Sequence, residues 1–263
     1  MKIKTMILKK LNKNQAISLT PKFIKNGTDF KGRTALIIGG GSGIGRAIAD
    51  ELLNNGARVI VCGRKKYDID KMDVETLDIS RIEEIKSKLQ EIVNKYSPID
   101  ILVNSQGICP DIDFKQQFYS VDKDDFEEVF RLNLESVFFT NQFFCEYYLQ
   151  KNIKGNILNI CSTEGLKGNI VPYGLSKTAV ISLTKGIGKM MAPENIIVNG
   201  IAPGATATGM MKMDENQSIG INYIPSKRAN VPIEVAKVAH LLLSDAGRQM
   251  CGQVVTIDGG ESL

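Results

Sequence analysis

The stretch Leu36-Ile37-Ile38-Gly39-Gly40-Gly41-Ser42-Gly43-Ile44-Gly45 closes an apolar run and leads into the amphipathic run Arg46-Ala47-Ile48-Ala49-Asp50-Glu51-Leu52-Leu53. A strand, a glycine turn and a helix in that order leave few folds open. Glycine adopts dihedrals closed to other residues and lets another group approach the main chain. The first N–H groups of a helix have no partner within it, so they collect anionic groups such as a pyrophosphate. A glycine pattern alone is as readily a tight turn; its place between strand and helix makes it a nucleotide site.

After Gly32 the chain alternates short aliphatic runs with longer amphipathic ones, the pattern of repeated β-α units around a parallel sheet. We read strands near 33–38, 57–62, 74–78, 99–104, 155–161, 195–201 and 253–257, and helices near 43–55, 80–96, 123–150, 173–191 and 232–244. Runs such as Ile99-Asp100-Ile101-Leu102-Val103 are apolar on both faces, which predicts a doubly wound α/β sheet of seven parallel strands flanked by helices on both faces. Ser80, with Glu83 three residues on, reads as a helix N-cap, and Pro232 as a first-turn proline. Segment 205–231 has no periodicity and is longer than a tight connection needs; it reads as a lid and as the place for substrate-specific variation.

At 263 residues one α/β domain over 31–263 is the expectation, preceded by a basic extension at 1–30. Residues 1–31 hold eight lysines against Asp29, so the chain's net +4 resides in this arm and the remainder is acidic. The arm has neither arginine nor an apolar run fit for export, and no nucleic-acid module is recognisable. Solvated arm, subunit-contacting arm and weak binder of anionic surfaces stay open. No apolar run approaches a membrane span. Five cysteines without paired spacing suit a reducing cytoplasm.

The second strand, Arg58-Val59-Ile60-Val61-Cys62, ends in Gly63-Arg64-Lys65-Lys66, where an NAD site offers a carboxylate to the adenosine ribose. A guanidinium beside lysines suits the 2′-phosphate of NADP(H) instead, with NAD(H) as the alternative. Further along, Ser162 follows a strand, and eleven residues later comes Tyr173-Gly174-Leu175-Ser176-Lys177. Positions i and i+4 share a helix face, so phenol and ammonium point to one pocket. Cys161 reads as a buried small hydrophobe.

In these motifs the chain resembles the short-chain dehydrogenase/reductase family, in its compact branch. The matches run in order: Gly39-x-x-x-Gly43-Ile44-Gly45, Asp78 after the third strand, Asn104-Ser105-Gln106-Gly107 after the fourth, Asn133, Ser162, Tyr173-x-x-x-Lys177, Pro203-Gly204-x-x-x-Thr208 and Asp258-Gly259-Gly260. The resemblance implies a Rossmann-type fold and hydride transfer between a nicotinamide and a carbonyl or secondary alcohol. It implies Asn133, Ser162, Tyr173 and Lys177 as catalytic. Gly39, Ser42, Gly43, Ile44, Gly45, Arg64, Asp78, Ile79, Asn104, Gly107, Tyr173, Lys177, Pro203, Gly204, Thr206 and Thr208 would hold the cofactor, with no metal. Asp78 would contact the adenine end, Thr206 and Thr208 the nicotinamide carboxamide, and Asn133 a water relaying protons from Lys177. A free phenol titrates at about 10; a neighbouring ammonium and an oxidised nicotinamide both favour phenolate, and a shift of about three units asks for about 4 kcal/mol.

Three positions depart from the family pattern. Ile38 stands where threonine is common, Ser105-Gln106 replaces Asn-Ala, and the Ser162 to Tyr173 spacing is short. None removes a reacting group. The rival reading is a nucleotide-sensing or scaffold protein on the same fold. An epimerase or dehydratase fits less well, since those relatives carry a longer C-terminal substrate domain. His240, the only histidine, reads as packing. The aromatics of 123–150 exceed what one core-facing stripe needs and predict a homodimer or homotetramer through this helix and 173–191. Glu164 is open between a substrate contact and a surface acid. The small-molecule substrate is open among 3-oxoacyl thioesters, sugars, steroids and small ketones.

Overall fold

Alternation inside the strands sorts the core onto the two faces of one sheet. In a computed structural model of the chain, which describes residues 29–110, 117–213 and 219–263, Ala35 and Ile37 of β1 (Thr34–Ile38) face one apolar cluster, while Leu36 and Ile38 face another. In β2 (Arg58–Gly63), Val59 and Val61 pair with the first cluster, and Ile60 and Cys62 with the second. Successive side chains of a strand point to opposite faces, so runs that looked uniformly apolar serve two cores.

The remaining strands are β3 (Asp73–Thr76), β4 (Ile101–Asn104), β5 (Asn156–Ile160), β6 (Ile197–Pro203) and β7 (Val254–Ile257). All pair in parallel in the order β3-β2-β1-β4-β5-β6-β7. This is a Rossmann-type sheet. The chain leaves β1 toward β2 and β3, then returns to lay β4 on the other side of β1, which opens a crevice beyond the C-terminal ends of β1 and β4.

Helix α1 (Gly43–Asn54) covers one face with Ile48, Ala49 and Leu52. α2 (Ile82–Tyr96) covers the other with Ile85, Leu89, Ile92 and Val93. Ser80 does not cap α2; Arg81 holds that position. The Ser80 N–H and hydroxyl instead both donate to Asp78, at 3.0 and 2.7 Å. The short Asp side chain closes this turn two residues before the helix begins, which takes Ser80 out of reach of the cap.

The single long helix read over 123–150 is divided. α3 (Lys123–Phe130), capped by Asp122, runs into a π-helical turn, Arg131–Glu135, and then α4 (Ser136–Lys151). A π turn rotates the faces on either side of it. Phe143, Phe144, Tyr147 and Tyr148 accordingly join the core, while Phe126, Phe138 and Phe139 stay on the surface. α5 (Pro172–Met191) and α6 (Pro232–Leu243) each begin on a proline, and α6 carries Glu234, whose carboxylate accepts from the Val231 N–H at 2.9 Å. α6 packs Val235, Ala236, Ala239, Leu242 and Leu243 beside α1.

His240 is not lone packing. Its ring bonds Glu51 of α1 at 2.7 Å and Asp29 at 2.8 Å, and Phe30, fully buried, meets its edge at 5.0 Å. The acids lie about two hundred residues away in sequence, which no local spacing could reveal. They tie the start of the described chain to α1 and α6. The extension at 1–28 lies outside the described residues, as does 214–218 of the segment read as a lid. Among the described residues no helix is long and apolar enough to cross a membrane, and no group of three or more His, Cys, Asp or Glu could hold a metal.

Candidate active site

The crevice at the turning point of the sheet is a cleft of about 580 Å³. Its floor is made by two loops that leave adjacent strands and touch. Gly39 follows β1 with φ +79, and its N–H donates to Cys62 O at 2.9 Å. A Cβ on Gly39 would stand 2.8 Å from the Gln106 backbone nitrogen in the loop after β4. Gly45 is tighter still: its Cβ would lie 2.3 Å from Gly39 O. Only glycine lets α1 start this close to its own turn, and the start of α1 therefore faces the cleft with Ser42, Gly43, Ile44 and Gly45. Ser42 is the N-cap residue but makes no side-chain cap bond.

β5 ends at Ile160 and delivers Ser162, nearly buried, whose Oγ accepts from the Glu164 N–H at 3.2 Å. α5 begins at Pro172 and turns Tyr173 and Lys177 toward the same place. Lys177 is buried, its Nζ donates to Ile160 O at 3.0 Å, and it stands 5.8 Å from the centre of the Tyr173 ring. Burial lowers the ammonium's pKa and raises the Tyr173 phenol to about 12, with Ser162 opposing the rise. The sequence suggested a phenol pulled down by the neighbouring ammonium. Within the chain's own groups, desolvation of the phenolate dominates instead. The result is a phenol held protonated at neutral pH.

Asn133 lies in the π turn and is fully buried. Its amide donates to Ile108 O at 2.8 Å and accepts from Ile108 N at 2.7 Å, a paired clamp on the loop after β4. A Cβ on Gly107 would meet the Asn133 Oδ1 at 3.0 Å and the Lys177 Nζ at 3.4 Å. The clamp thus holds Gly107 against the ammonium.

Of the residues singled out from sequence, Gly39, Ser42, Gly43, Ile44, Gly45, Arg64, Ile79, Gly107, Ser162, Tyr173, Lys177, Pro203, Gly204, Thr206 and Thr208 line the cleft. Asp78, Asn104 and Asn133 do not. Asp78 is engaged by Ser80, with its neighbours Leu77 and Ile79 on the wall. Asn104 is buried, giving its amide to Asn159 at 2.9 Å and accepting from Thr140 at 2.9 Å. Glu164 reaches the cleft wall, held by Lys167 at 3.0 Å and Asn169 at 2.9 Å. Asn169 also accepts from Val171 N at 3.0 Å, so a compact side-chain brace accommodates the short spacing between Ser162 and Tyr173.

Sequence reasoning missed Tyr67, Met210, Met211, Tyr223 and Glu261, which also line the cleft. They lie in irregular segments, where no periodicity marks a direction. In the described part of the lid segment, Thr206 pairs with Asn230 and Gly220 with Arg228, which folds Met210, Met211 and Tyr223 toward the opening.

The glycine turn and helix start fit a dinucleotide's pyrophosphate, and the absence of a carboxylate at the end of β2, where Arg64 stands, fits a phosphorylated ribose.

Comparison with known proteins bears on this cleft. The profile of the short chain dehydrogenase family matches residues 33–218. A 3-oxoacyl-[acyl-carrier-protein] reductase of Thermotoga maritima is 34% identical over 246 residues, covering 88% of this chain and 98% of the relative. The 3beta-hydroxysteroid dehydrogenase 2 of Eggerthella lenta is 31% identical over 251 residues, covering 88% and 95%. Among solved structures, ElxO with NADP bound matches with a TM-score of 0.78 at 27% identity, over 87% of this chain and 98% of that one. Aldohexose dehydrogenase of Thermoplasma acidophilum matches with a TM-score of 0.79 at 25% identity, over 90% and 96%. Profile, relatives and fold agree with the cleft, and the chain is an oxidoreductase belonging to the short-chain dehydrogenase family.

Proposed function

We propose that the protein transfers hydride between NADP(H) and the carbonyl or secondary alcohol of a small molecule, with Tyr173 as the acid and base. The observation that supports this most is the convergence of Ser162, Tyr173 and Lys177 on the cleft that the glycine turn also lines. When bound, the nicotinamide supplies or accepts the hydride. Ser162 donates a hydrogen bond to the substrate oxygen as negative charge develops on it. Tyr173 gives its proton to that oxygen in reduction and takes it back in oxidation. Lys177, buried beside Tyr173, favours the phenolate left behind, and Asn133 holds the Ile108 segment where a water can carry protons from Lys177 to solvent.

The start of α1 would hold the pyrophosphate, Gly39, Gly43 and Gly45 would give it room, and Pro203, Gly204, Thr206 and Thr208, which line the same cleft, would hold the nicotinamide end. Arg64, on the cleft wall, would bind the 2′-phosphate. ElxO, which matches in fold, binds NADP. Arg64→Ala should lower the preference for NADPH over NADH by about 10- to 100-fold, since a guanidinium–phosphate contact is a charge-assisted hydrogen bond. Steady-state kcat/KM with each cofactor measures it, and an unchanged ratio would show that Arg64 does not bind the 2′-phosphate. The absence of any disulfide among the five cysteines suits a reducing cytoplasm.

The named relatives are a 3-oxoacyl-[acyl-carrier-protein] reductase, a 3beta-hydroxysteroid dehydrogenase and an aldohexose dehydrogenase, and this chain's substrate is proposed only as a carbonyl or alcohol that enters past Met210, Met211 and Tyr223. Phe126, Phe138 and Phe139 are exposed on α3 and α4, with Leu175 and Met190 on α5. They support a homodimer or homotetramer through these helices. Light scattering at micromolar concentration should report a multiple of the 28.9 kDa chain; a monomer would contradict it.

A further inference from the structure

The loop between β2 and β3, residues 64–72, contains no helix, and it places one aromatic ring in the cofactor cleft. Tyr67 is half-buried, with its ring packed against the apolar cluster under α1 and α6. The phenol end fills a slot between two glycines. A Cβ on Gly41 of the glycine turn would fall on the ring, 2.1 Å from its Cζ, and a Cβ on Gly63 at the end of β2 would lie 2.7 Å from a ring carbon and 2.9 Å from the hydroxyl. Any side chain at either position would expel the ring. Gly41 is not a position where φ is positive, so its lack of a side chain is explained by the ring rather than by backbone conformation.

The location has a chemical meaning. In a doubly wound fold the glycine turn receives the pyrophosphate, and the end of the second strand reads the adenosine ribose at its 2′ position. A ring wedged between the turn and that strand end stands at the ribose. Arg64, three residues earlier and also on the cleft wall, supplies charge there but is itself exposed. A long exposed side chain loses much of its attraction to solvent screening and to its own freedom. A phenol pinned by two glycines has little freedom to lose, and phenolic O–H to phosphate oxygen is a charge-assisted hydrogen bond.

We propose that Tyr67 is a specificity-determining residue of the cofactor groove, whose hydroxyl binds the 2′-phosphate of NADP(H) while its seated ring pins the short basic loop that carries Arg64. This rests on the reading of the cleft as an NADP(H) site. It adds a neutral, pre-positioned donor to the cation already assigned. It also accounts for glycine at Gly41 and Gly63, where a side chain would meet the Tyr67 ring.

Calorimetric binding of 2′,5′-ADP and 5′-AMP to the full chain tests it without reference to turnover. Wild type should prefer 2′,5′-ADP. Tyr67→Phe keeps the ring and removes the hydroxyl; it should weaken 2′,5′-ADP about tenfold, the worth of one hydrogen bond to a charged group, and leave 5′-AMP within about twofold. Tyr67→Ala, which also frees the loop, should lose more of the preference than Tyr67→Phe. Tyr67→Phe binding both probes as wild type does, while Arg64→Ala loses the preference, would overturn the assignment of Tyr67 alone. A wild type that binds both probes equally would overturn it together with the NADP(H) reading.

Discussion

Tyr173→Phe should fold, bind dinucleotide with near wild-type affinity, and lose carbonyl reduction by about 10²- to 10⁴-fold, the usual worth of a positioned general acid. The substitution keeps the ring that lines the cleft with Ser162 and Lys177 and removes only the proton donor. Lys177 keeps its Nζ on Ile160 O at 3.0 Å and is expected not to take over proton transfer to the substrate oxygen. The pH dependence of the wild type follows from the same surroundings. With the phenol raised to about 12 by burial, its protonated form is present throughout the neutral range, so reduction should show no loss from phenol ionisation between about pH 6 and 9. Alcohol oxidation needs the phenolate and should rise with pH over that range. An oxidised nicotinamide brings positive charge that favours the phenolate, so the rise should begin below the value the protein alone imposes. Stopped assays in both directions across pH check this; a reduction rate that falls with an apparent pKa near neutrality in wild type, yet persists unchanged in Tyr173→Phe, would assign the proton to another group.

Gly45→Ala should have a comparable effect by a different route. The added carbon would lie 2.3 Å from Gly39 O, 2.9 Å from Gly39 C and 3.0 Å from Ser105 Oγ. Two of these atoms are backbone, so the start of α1 must move away from its turn rather than a side chain swing aside. α1 is packed on the sheet by Ile48, Ala49 and Leu52 and tied to α6 through Glu51, Lys237 and His240, so the movement is resisted from behind. The conflict should destabilise the fold by about 1–3 kcal/mol. It should weaken dinucleotide binding by about 100-fold, the scale of loss when a positioned group is displaced by about 1 Å. Thermal melting with and without NADP(H) measures both. A variant that melts lower but keeps the full cofactor-induced rise in Tm would separate Gly45 from cofactor binding.

The strands and the doubly wound class were legible because each apolar run is short, bounded by turn residues and separated from the next by an amphipathic stretch. Leu36-Ile37-Ile38 and Val59-Ile60-Val61 read as buried strands, and the order β3-β2-β1-β4-β5-β6-β7, which opens the crevice, came from the structure. What escaped was whatever depends on contacts between distant segments. The break of 123–150 at Arg131–Glu135 leaves no proline or glycine as a mark, since a π turn is an insertion in hydrogen bonding rather than a change in residue type. The bonds from His240 to Glu51 and Asp29 span most of the chain.

The site divides in the same way. The glycine turn, Ser162 and the Tyr173 and Lys177 pair were legible because their spacing encodes one local geometry each. Asn133 was legible only through resemblance, and its clamp on Ile108 could not be read from either. Ile38 is a buried core residue, and Ser105 N bonds Ile38 O at 2.9 Å, so the turn is held by main-chain contact where the family uses a threonine. Gln106 points inward, within 3.4 Å of Asn104 and of Ser136. Tyr67 had no signal at all, because an aromatic in an irregular loop acquires a direction only from Gly41 and Gly63 beneath it.

Hydride transfer with NADP(H) in this cleft can be measured without knowing the natural substrate. The direct measurement is NADPH oxidation by the wild-type chain across a panel of carbonyl compounds spanning acyl thioesters, aldoses, steroids and small ketones, with NADH run in parallel. Turnover is expected on at least one class, faster with NADPH than NADH and abolished by Tyr173→Phe. Stoichiometric NADPH binding with no turnover on any class, or turnover that survives in Tyr173→Phe, would contradict it.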